Sequence, residues 1–216
     1  MKLTAELIVQ SPSHINAARD YELDLRGNKI PLIENLGATK DLYAAIDLTD
    51  NEIQILGNFP LLRNLEKLYL GNNRIRQISD GLSSQIPNIN TLVLTNNYLE
   101  ELVDLEGLRA LKNLDTLILL GNPVARKTNF RSWVIYRIPQ LRILNFAKIK
   151  QAERAAAKKL FETSEGELSA LAQTILQVEP ANTFEPAHRE SEAIKQKALE
   201  AMRNAQLNQD HSSINN

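Results

Sequence analysis

The sequence contains no cysteine, and this absence excludes several kinds of site at once. A chain without thiols has no disulfide framework, no thiolate metal site and no cysteine nucleophile. Disulfides are rare in reducing compartments, so the composition fits an intracellular protein. We therefore expect apolar packing and hydrogen bonds to hold the fold.

Long apolar runs and aromatic residues are also scarce. No run is long enough to cross a bilayer, and the N-terminus shows no secretory signal, which together predict a soluble chain with no membrane partner. Aromatic residues make up 5% of the sequence, with Trp133 as the single tryptophan. Trp133 stands among apolar residues that follow the repeats, so we expect it to pack in a core rather than bind a ligand.

Groups that perform chemistry are nearly absent. The histidines, His14, His188 and His211, have no metal-ligand spacing, and no Gly-x-x-x-x-Gly-Lys segment is present to bind phosphates. Asp24 and Asp47 are expected on neighbouring strands, where like-charge coupling would raise the pKa of one carboxyl. No nucleophile or oxyanion donor accompanies them. The sequence predicts a protein that is not an enzyme and uses no metal or cofactor.

The sequence does contain a repeat. Asn28, Asn51, Asn73, Asn97 and Asn122 lie 23, 22, 24 and 25 positions apart, and each follows a segment of alternating leucine or isoleucine. This period is typical of a leucine-rich repeat solenoid. Alternate side chains of a strand share one face, so the leucines turn inward and the asparagine turns the chain out of its strand. We predict an α/β solenoid of five repeats with a parallel concave sheet.

The predicted repeats divide the chain into four regions. Residues 1–20 are expected to form an N-terminal cap, in which Ser11-Pro12-Ser13 is typical of a helix start. Residues 21–146 hold the repeats and a C-terminal cap. Residues 147–161 are predicted to form a basic helix that extends this cap. Residues 162–216 are predicted to be an acidic helical tail, partly disordered or ordered only on a partner.

The predicted helix over 147–161 has two distinct faces. Its apolar face is expected to comprise Ile149, Ala152, Ala156 and Leu160. Its basic stripe, with the lysine beside it, comprises Lys148, Lys150, Arg154 and Lys158. Such a stripe is either a solvated surface or a phosphate-binding face. A rival basic cluster near the N-terminal edge comprises Lys2, Arg19, Arg26 and Lys29.

Charge differs between the two parts of the chain. Residues 1–161 hold 21 basic and 17 acidic side chains, whereas residues 162–216 hold 4 basic and 9 acidic ones. The repeat region is therefore slightly basic and the tail acidic, so the two parts lie in different electrostatic environments.

The outward positions of the predicted sheet form a graded surface. Those that we assign to partner binding are Glu22, Asp24, Asp47, Tyr69, Val93 and Ile118. The first three are acidic, and the last three hold one position in three successive repeats. Adjacent strands lie about 4.8 Å apart, so these three would form a contiguous apolar stripe. The surface suits a partner helix that is apolar in its middle and basic at one end. In the alternative interpretation, the C-terminal cap covers Ile118 and Leu120.

Several stretches inside and outside the generic repeat positions resemble one known family. They are residues 1–8 (MKLTAELI), 19–27 (RDYELDLRG), 29–39 (KIPLIENLGAT), 59–63 (FPLLR), 94–97 (LTNN), 121–124 (GNPV) and 134–140 (VIYRIPQ). These stretches are similar to the A-prime family of the spliceosomal U2 small nuclear ribonucleoprotein, and the similarity spans residues 1–161.

This resemblance implies a non-catalytic nuclear subunit that supports pre-mRNA splicing. In that family the concave sheet grips a helix of the B-double-prime protein, an RNA-recognition-motif partner, and the pair binds a stem-loop of U2 small nuclear RNA. The basic stripe would then supply phosphate contacts that position the RNA. The tail is a candidate contact for other spliceosomal proteins. The alternative function is a regulatory adaptor of the same repeat subclass, of the phosphatase, dynein or tubulin-cofactor type.

Overall fold

Each repeat contributes one short strand to a continuous sheet. The structure is a computed structural model that describes residues 2–180. The strands are β1 (Ser13–Ile15), β2 (Tyr21–Asp24), β3 (Ala45–Asp47), β4 (Ile55–Leu56), β5 (Lys67–Tyr69), β6 (Gln77–Ile78), β7 (Thr91–Val93), β8 (Thr116–Ile118), β9 (Ile143–Leu144) and β10 (Ala147–Lys148). The predicted tail is described only as far as residue 180, so His188 and His211 lie outside the described residues.

The main sheet has eight strands in the order β1-β2-β3-β5-β7-β8-β9-β10. Strands β2 through β9 are parallel, and an antiparallel strand closes each end of the sheet. Strands β4 and β6 pair separately on the return path of their repeats. The predicted leucine-rich solenoid with a parallel sheet is confirmed.

Helices occupy the two ends and the outer side of the solenoid. The α-helices are α1 (Ala5–Gln10), α2 (Leu82–Gln85), α3 (Phe130–Arg137), α4 (Gln151–Phe161) and α5 (Ala170–Gln177), and the 3-10 helices are Leu36–Thr39, Leu102–Leu108 and Pro123–Arg126. The inward leucine and isoleucine side chains of the main strands are buried beneath them, as the alternation predicted.

The repeat asparagines form a buried hydrogen-bonded ladder. Asn73 shows the pattern: its Nδ2 donates to the carbonyls of Leu48 and Leu70 at 2.9 and 3.1 Å, and its Oδ1 accepts from the backbone N–H of Ile53 at 3.0 Å. Leu48 and Ile53 belong to the preceding repeat. The other buried asparagines make corresponding bonds, and they are Asn51, Asn97 and Asn122. Each asparagine therefore satisfies backbone groups of two repeats that no strand partner reaches.

The N-terminal cap covers the first repeat, but the helix start predicted at Ser11-Pro12-Ser13 is wrong. The helix α1 packs against Leu36–Thr39, with Leu3 and Ile8 buried. Ser11 follows α1 and donates its hydroxyl to the Leu7 carbonyl, so it ends a helix rather than starting one. The carbonyl of Pro12 then accepts the N–H of Asp24, and the residues that follow Pro12 form β1 beside β2.

The C-terminal cap is built around Trp133. Its indole is fully buried, donates to the Leu102 carbonyl at 3.3 Å and packs edge-on against Phe161 with ring centroids 5.1 Å apart. The prediction that this tryptophan is a core residue is confirmed.

The helix predicted over residues 147–161 is four residues shorter at its start. Residues 147 and 148 form β10, and α4 begins at Gln151 because the Glu153 carboxylate accepts the backbone N–H of Lys150 at 2.8 Å. The prediction of the apolar face of this helix is also wrong in part. Ala152, Ala156 and Leu160 are exposed, and the helix buries Ala157 and Phe161 against the cap instead.

Residues just beyond 162 belong to the folded unit, although the sequence placed them in the tail. The helix α5 packs against α4 and against Leu102–Leu108, and it buries Ala172. Glu165 and Glu167 precede the helix, which Ser169 caps by accepting the Ala172 N–H.

The ladder predicts the stability of the solenoid. Replacing Asn73 with Ala leaves buried backbone groups of two repeats without partners, and we expect a loss of about 3 kcal/mol in the free energy of unfolding. Urea unfolding followed by Trp133 fluorescence measures it. The matched control is Asn113→Ala, where the amide is exposed and the expected loss is under about 1 kcal/mol. Equal losses in the two variants would contradict the role of the ladder.

Candidate functional site

The concave face presents one side chain per strand at each level of the sheet. The backbone register aligns Asp24 with Asp47, Asp47 with Tyr69, Tyr69 with Val93 and Val93 with Ile118. These positions were predicted to lie side by side from the repeat spacing, and the register places them so. The row runs from carboxylates at the N-terminal end to apolar side chains at the C-terminal end.

The acidic end contains an ion-pair network rather than a pair of repelling carboxylates. The Arg26 guanidinium contacts Asp24 at 2.6 Å and Asp47 at 3.6 Å. The hydrogen bond from Arg26 lowers the pKa of the Asp24 carboxyl, so the expectation of a raised pKa from like-charge coupling is wrong for Asp24. Arg26, which the sequence placed in a rival basic cluster, therefore contributes to this face.

A second cation spans the same surface. Lys67 on β5 reaches Asp20, just before β2, at 2.5 Å, and this bond raises the pKa of the lysine. Glu22 is nearly buried and accepts a hydrogen bond from Asn16 Nδ2 at 2.7 Å. The carboxylates at this end are Asp20, Glu22, Asp24 and Asp47. The two cations form ion pairs with all of them except Glu22 and leave a net negative charge.

The apolar stripe is shorter than the sequence suggested. Tyr69 and Val93 are half-buried and keep part of their surface in solvent, and burial raises the pKa of the Tyr69 hydroxyl. Ile118 is only 1% exposed, so its assignment to an exposed stripe is wrong. Its strand β8 pairs with the cap strand β9, which places Ile118 beside the cap. The alternative interpretation predicted that the cap also covers Leu120, but Leu120 is 42% exposed.

The basic stripe consists of three exposed lysines and one arginine that is bonded to backbone carbonyls. Lys148, Lys150 and Lys158 are exposed, although Lys158 also contacts Glu162 at 3.3 Å. Arg154 instead donates to the carbonyls of Pro139 and Leu141, each at 2.5 Å. It therefore fixes α4 to the segment that follows α3. Lys148 lies on β10 rather than on the helix.

The described part of the chain was searched for metal-binding clusters and for helices that could span a membrane. Among residues 2–180, no three His, Asp or Glu side chains cluster in a way that could hold a metal ion. None of the helices described there is both long and apolar enough to span a bilayer.

Comparison with known proteins identifies the family. The Leucine-rich repeat family model matches residues 1–175. The chain is 54% identical over 185 residues to U2 small nuclear ribonucleoprotein A′ of Aspergillus fumigatus, covering 86% of this chain and 72% of that protein. It is 54% identical over 166 residues to the Homo sapiens protein of the same name, covering 77% of this chain and 65% of the human protein.

This chain belongs to the U2 small nuclear ribonucleoprotein A′ family. A solved structure of the A′ family supports the fold: the crystal structure of the Drosophila melanogaster SNF/U2A′ complex contains a similar chain with a TM-score of 0.74 and 52% identity. The match covers 77% of this chain and 95% of that one. The names of these relatives are those of ribonucleoprotein subunits, which is consistent with a structural rather than an enzymatic role.

Two features of the chain were not found from sequence. The pairing of Lys67 with Asp20 joins residues 47 positions apart, and no repeat rule links them. Phe146 lies in the turn between β9 and β10 and is 76% exposed. A two-residue gap between short apolar segments, at Asn145 and Phe146, is the sequence signal that would have indicated a hairpin.

The start of α4 predicts a pH-dependent stability. Arg131 contacts the Glu153 carboxylate at 2.6 Å and, with the Lys150 N–H, lowers its pKa from 4.5 to about 2. A lowered pKa contributes stability above pH 4.5 that is lost as the pH falls toward 2. Since a third of the Glu153 side chain is exposed, Glu153→Gln should cost about 1 kcal/mol at pH 7 and almost nothing near pH 2.

Urea unfolding at a series of pH values measures this difference. The control is Glu162→Gln, which removes the exposed pair with Lys158 and should cost under about 0.5 kcal/mol at pH 7. A cost at Glu153 that is independent of pH would contradict the assigned ionic contact.

Proposed function

We propose that this chain is a non-catalytic subunit of the U2 small nuclear ribonucleoprotein whose concave sheet holds a helix of an RNA-recognition-motif partner of the B-double-prime type. The pair binds a stem-loop of U2 small nuclear RNA in the nucleus and supports pre-mRNA splicing. The observation that carries the proposal is the similarity to a family member whose solved structure is named as a complex with a second protein, SNF.

The concave face supports a helical partner. Tyr69 and Val93 lie on adjacent strands and keep part of their surface exposed, next to a region with four carboxylates and two cations. A helix with apolar side chains in its middle and basic side chains at one end matches that order. Asp24 and Asp47 would meet its basic end, and Ile118 would support the apolar contact from beside the cap.

The basic stripe supports a positioning role toward RNA. Lys148, Lys150 and Lys158 present exposed ammonium groups on one end of the solenoid. Arg154 is the weaker candidate of the predicted four because its guanidinium already donates to two backbone carbonyls. Lysine contacts to phosphates position RNA without reading its sequence, so base recognition would fall to the partner. The adaptor alternative has no support in the names of the relatives.

The apolar contact predicts two mutational effects. Tyr69→Ala removes a large half-buried ring, and Val93→Asp places a charge in the apolar part of the interface. Each should weaken capture of the RNA-recognition-motif partner by about 2 kcal/mol, which is about thirtyfold in Kd. Isothermal titration with the purified partner measures it.

Tyr98→Ala is the matched control, because Tyr98 is a half-exposed tyrosine outside the concave strands. It should leave partner affinity unchanged. Affinity equal to the wild type in both Tyr69→Ala and Val93→Asp would contradict the docking face, provided that their urea midpoints show folded protein.

The lysines predict the salt dependence of RNA binding. If Lys148, Lys150 and Lys158 each meet a phosphate, joint replacement by Ala should reduce the slope of log K against log salt by about 2 to 3 for the complex with its partner. A control with Arg63, Arg109 and Lys112 replaced by Ala removes the same number of exposed cations elsewhere and should leave the slope unchanged. An unchanged slope in the first variant would overturn the assignment.

A further inference from the structure

The hairpin that ends the main sheet exposes an aromatic ring at an unusual backbone position. Strands β9 and β10 are joined by Asn145 and Phe146, whose φ angles are +50° and +62°. A two-residue turn with two positive φ values favours Gly at its second residue, and a bulky side chain there is strained. Phe146 nevertheless occupies it.

Phe146 is not explained by packing. It is 76% exposed, more than any other large apolar side chain in the described residues. It contributes neither to the core nor to a favourable turn conformation. Strained and exposed residues of this kind are found where a ligand is bound, so Phe146 is a candidate contact with another molecule.

The charge around the ring indicates what that molecule is. Residues 142–150 contain Arg142, Lys148 and Lys150 and no acidic residue. The Arg142 side chain is 73% exposed, with Asp115 at 3.4 Å from its Nε, and the two lysines are exposed. A ligand of this hairpin is therefore anionic and offers a flat face for the ring.

We infer that Phe146 is a stacking platform for an unpaired base of RNA, with the phosphates on either side of that base contacted by Arg142, Lys148 and Lys150. An unpaired nucleotide supplies both a π-face and a phosphate, and stacking of single-stranded bases on aromatic side chains between cations is a common mode of recognition. An acidic peptide satisfies the cations but leaves the ring face without a partner. The inference rests on the proposed function in assuming that RNA is near this chain and that Lys148 and Lys150 contact phosphates.

The test uses the full chain with two fluorescein-labelled RNA probes in about 50 mM salt, read by fluorescence anisotropy. One probe is an oligouridine of about 12 nucleotides and the other is a blunt RNA duplex of about 12 base pairs with no unpaired nucleotide. Phe146→Gly should weaken binding of oligouridine about tenfold and leave binding of the duplex unchanged. Phe146→Tyr should bind oligouridine as the wild type does, because its ring still stacks.

If Phe146 stabilised the fold, Phe146→Gly would lower the urea midpoint. We expect the midpoint to stay the same or rise while RNA affinity falls, because glycine adopts a positive φ without strain. Leu42→Ala is the control for loss of an exposed apolar side chain, since Leu42 is exposed at a distant loop, and it should not alter RNA affinity.

Several results would overturn the inference. They are equal oligouridine affinity in the wild type and Phe146→Gly, an equal loss for paired and unpaired RNA, no binding of oligouridine by the wild type, and tighter binding of a poly-glutamate peptide than of oligouridine. A chain that captures its RNA-recognition-motif partner but gives one of these results contradicts only this inference. A chain that stacks RNA but captures no such partner contradicts only the proposed function.

Discussion

The geometry of the molecule depends on the satisfaction of backbone groups where each repeat leaves its strand. A turn out of a buried strand leaves N–H and C=O groups that no sheet partner reaches, and an unpaired buried group of this kind is costly. The side-chain amide of asparagine has two donors and one acceptor oxygen, so it bonds the carbonyls of two repeats and an N–H of the preceding one. The amide therefore connects neighbouring repeats and keeps their strands in register.

This register determines what the concave face can do. One outward position per strand aligns across the sheet, so a change in residue type along the sequence becomes a gradient across the surface. Carboxylates occupy the first strands and apolar side chains the later ones. Arg26 and Lys67 reduce the charge of the acidic end without removing it, and the hydrogen bond from Arg26 lowers the pKa of the Asp24 carboxyl. Ile118, at the end of this row, is buried and adds no exposed surface to the apolar part.

The sequence predicted correctly the features that follow from the repeat period. It did not predict features that depend on single contacts between residues unrelated by that period. The inward leucines, the parallel sheet and the alignment of Tyr69 with Val93 all follow from the repeat spacing. The start of α4 does not follow from the repeat spacing, because it depends on Glu153 accepting a single N–H. Residues 147 and 148 pair with β9 instead of joining the helix. The role of Arg154 was missed for a similar reason. Its carbonyl partners lie in the segment after α3, which helix periodicity does not reveal.

We propose that this solenoid joins a U2-type RNA to a protein that carries an RNA-recognition motif. The most direct measurement is to purify the tagged chain from its own cells at moderate salt and to identify the RNA and proteins that accompany it. The proposed function predicts recovery of U2 small nuclear RNA together with a small RNA-recognition-motif protein in stoichiometric amount. A different stoichiometric partner, such as a phosphatase, without U2 small nuclear RNA would leave the repeat fold intact and contradict the function.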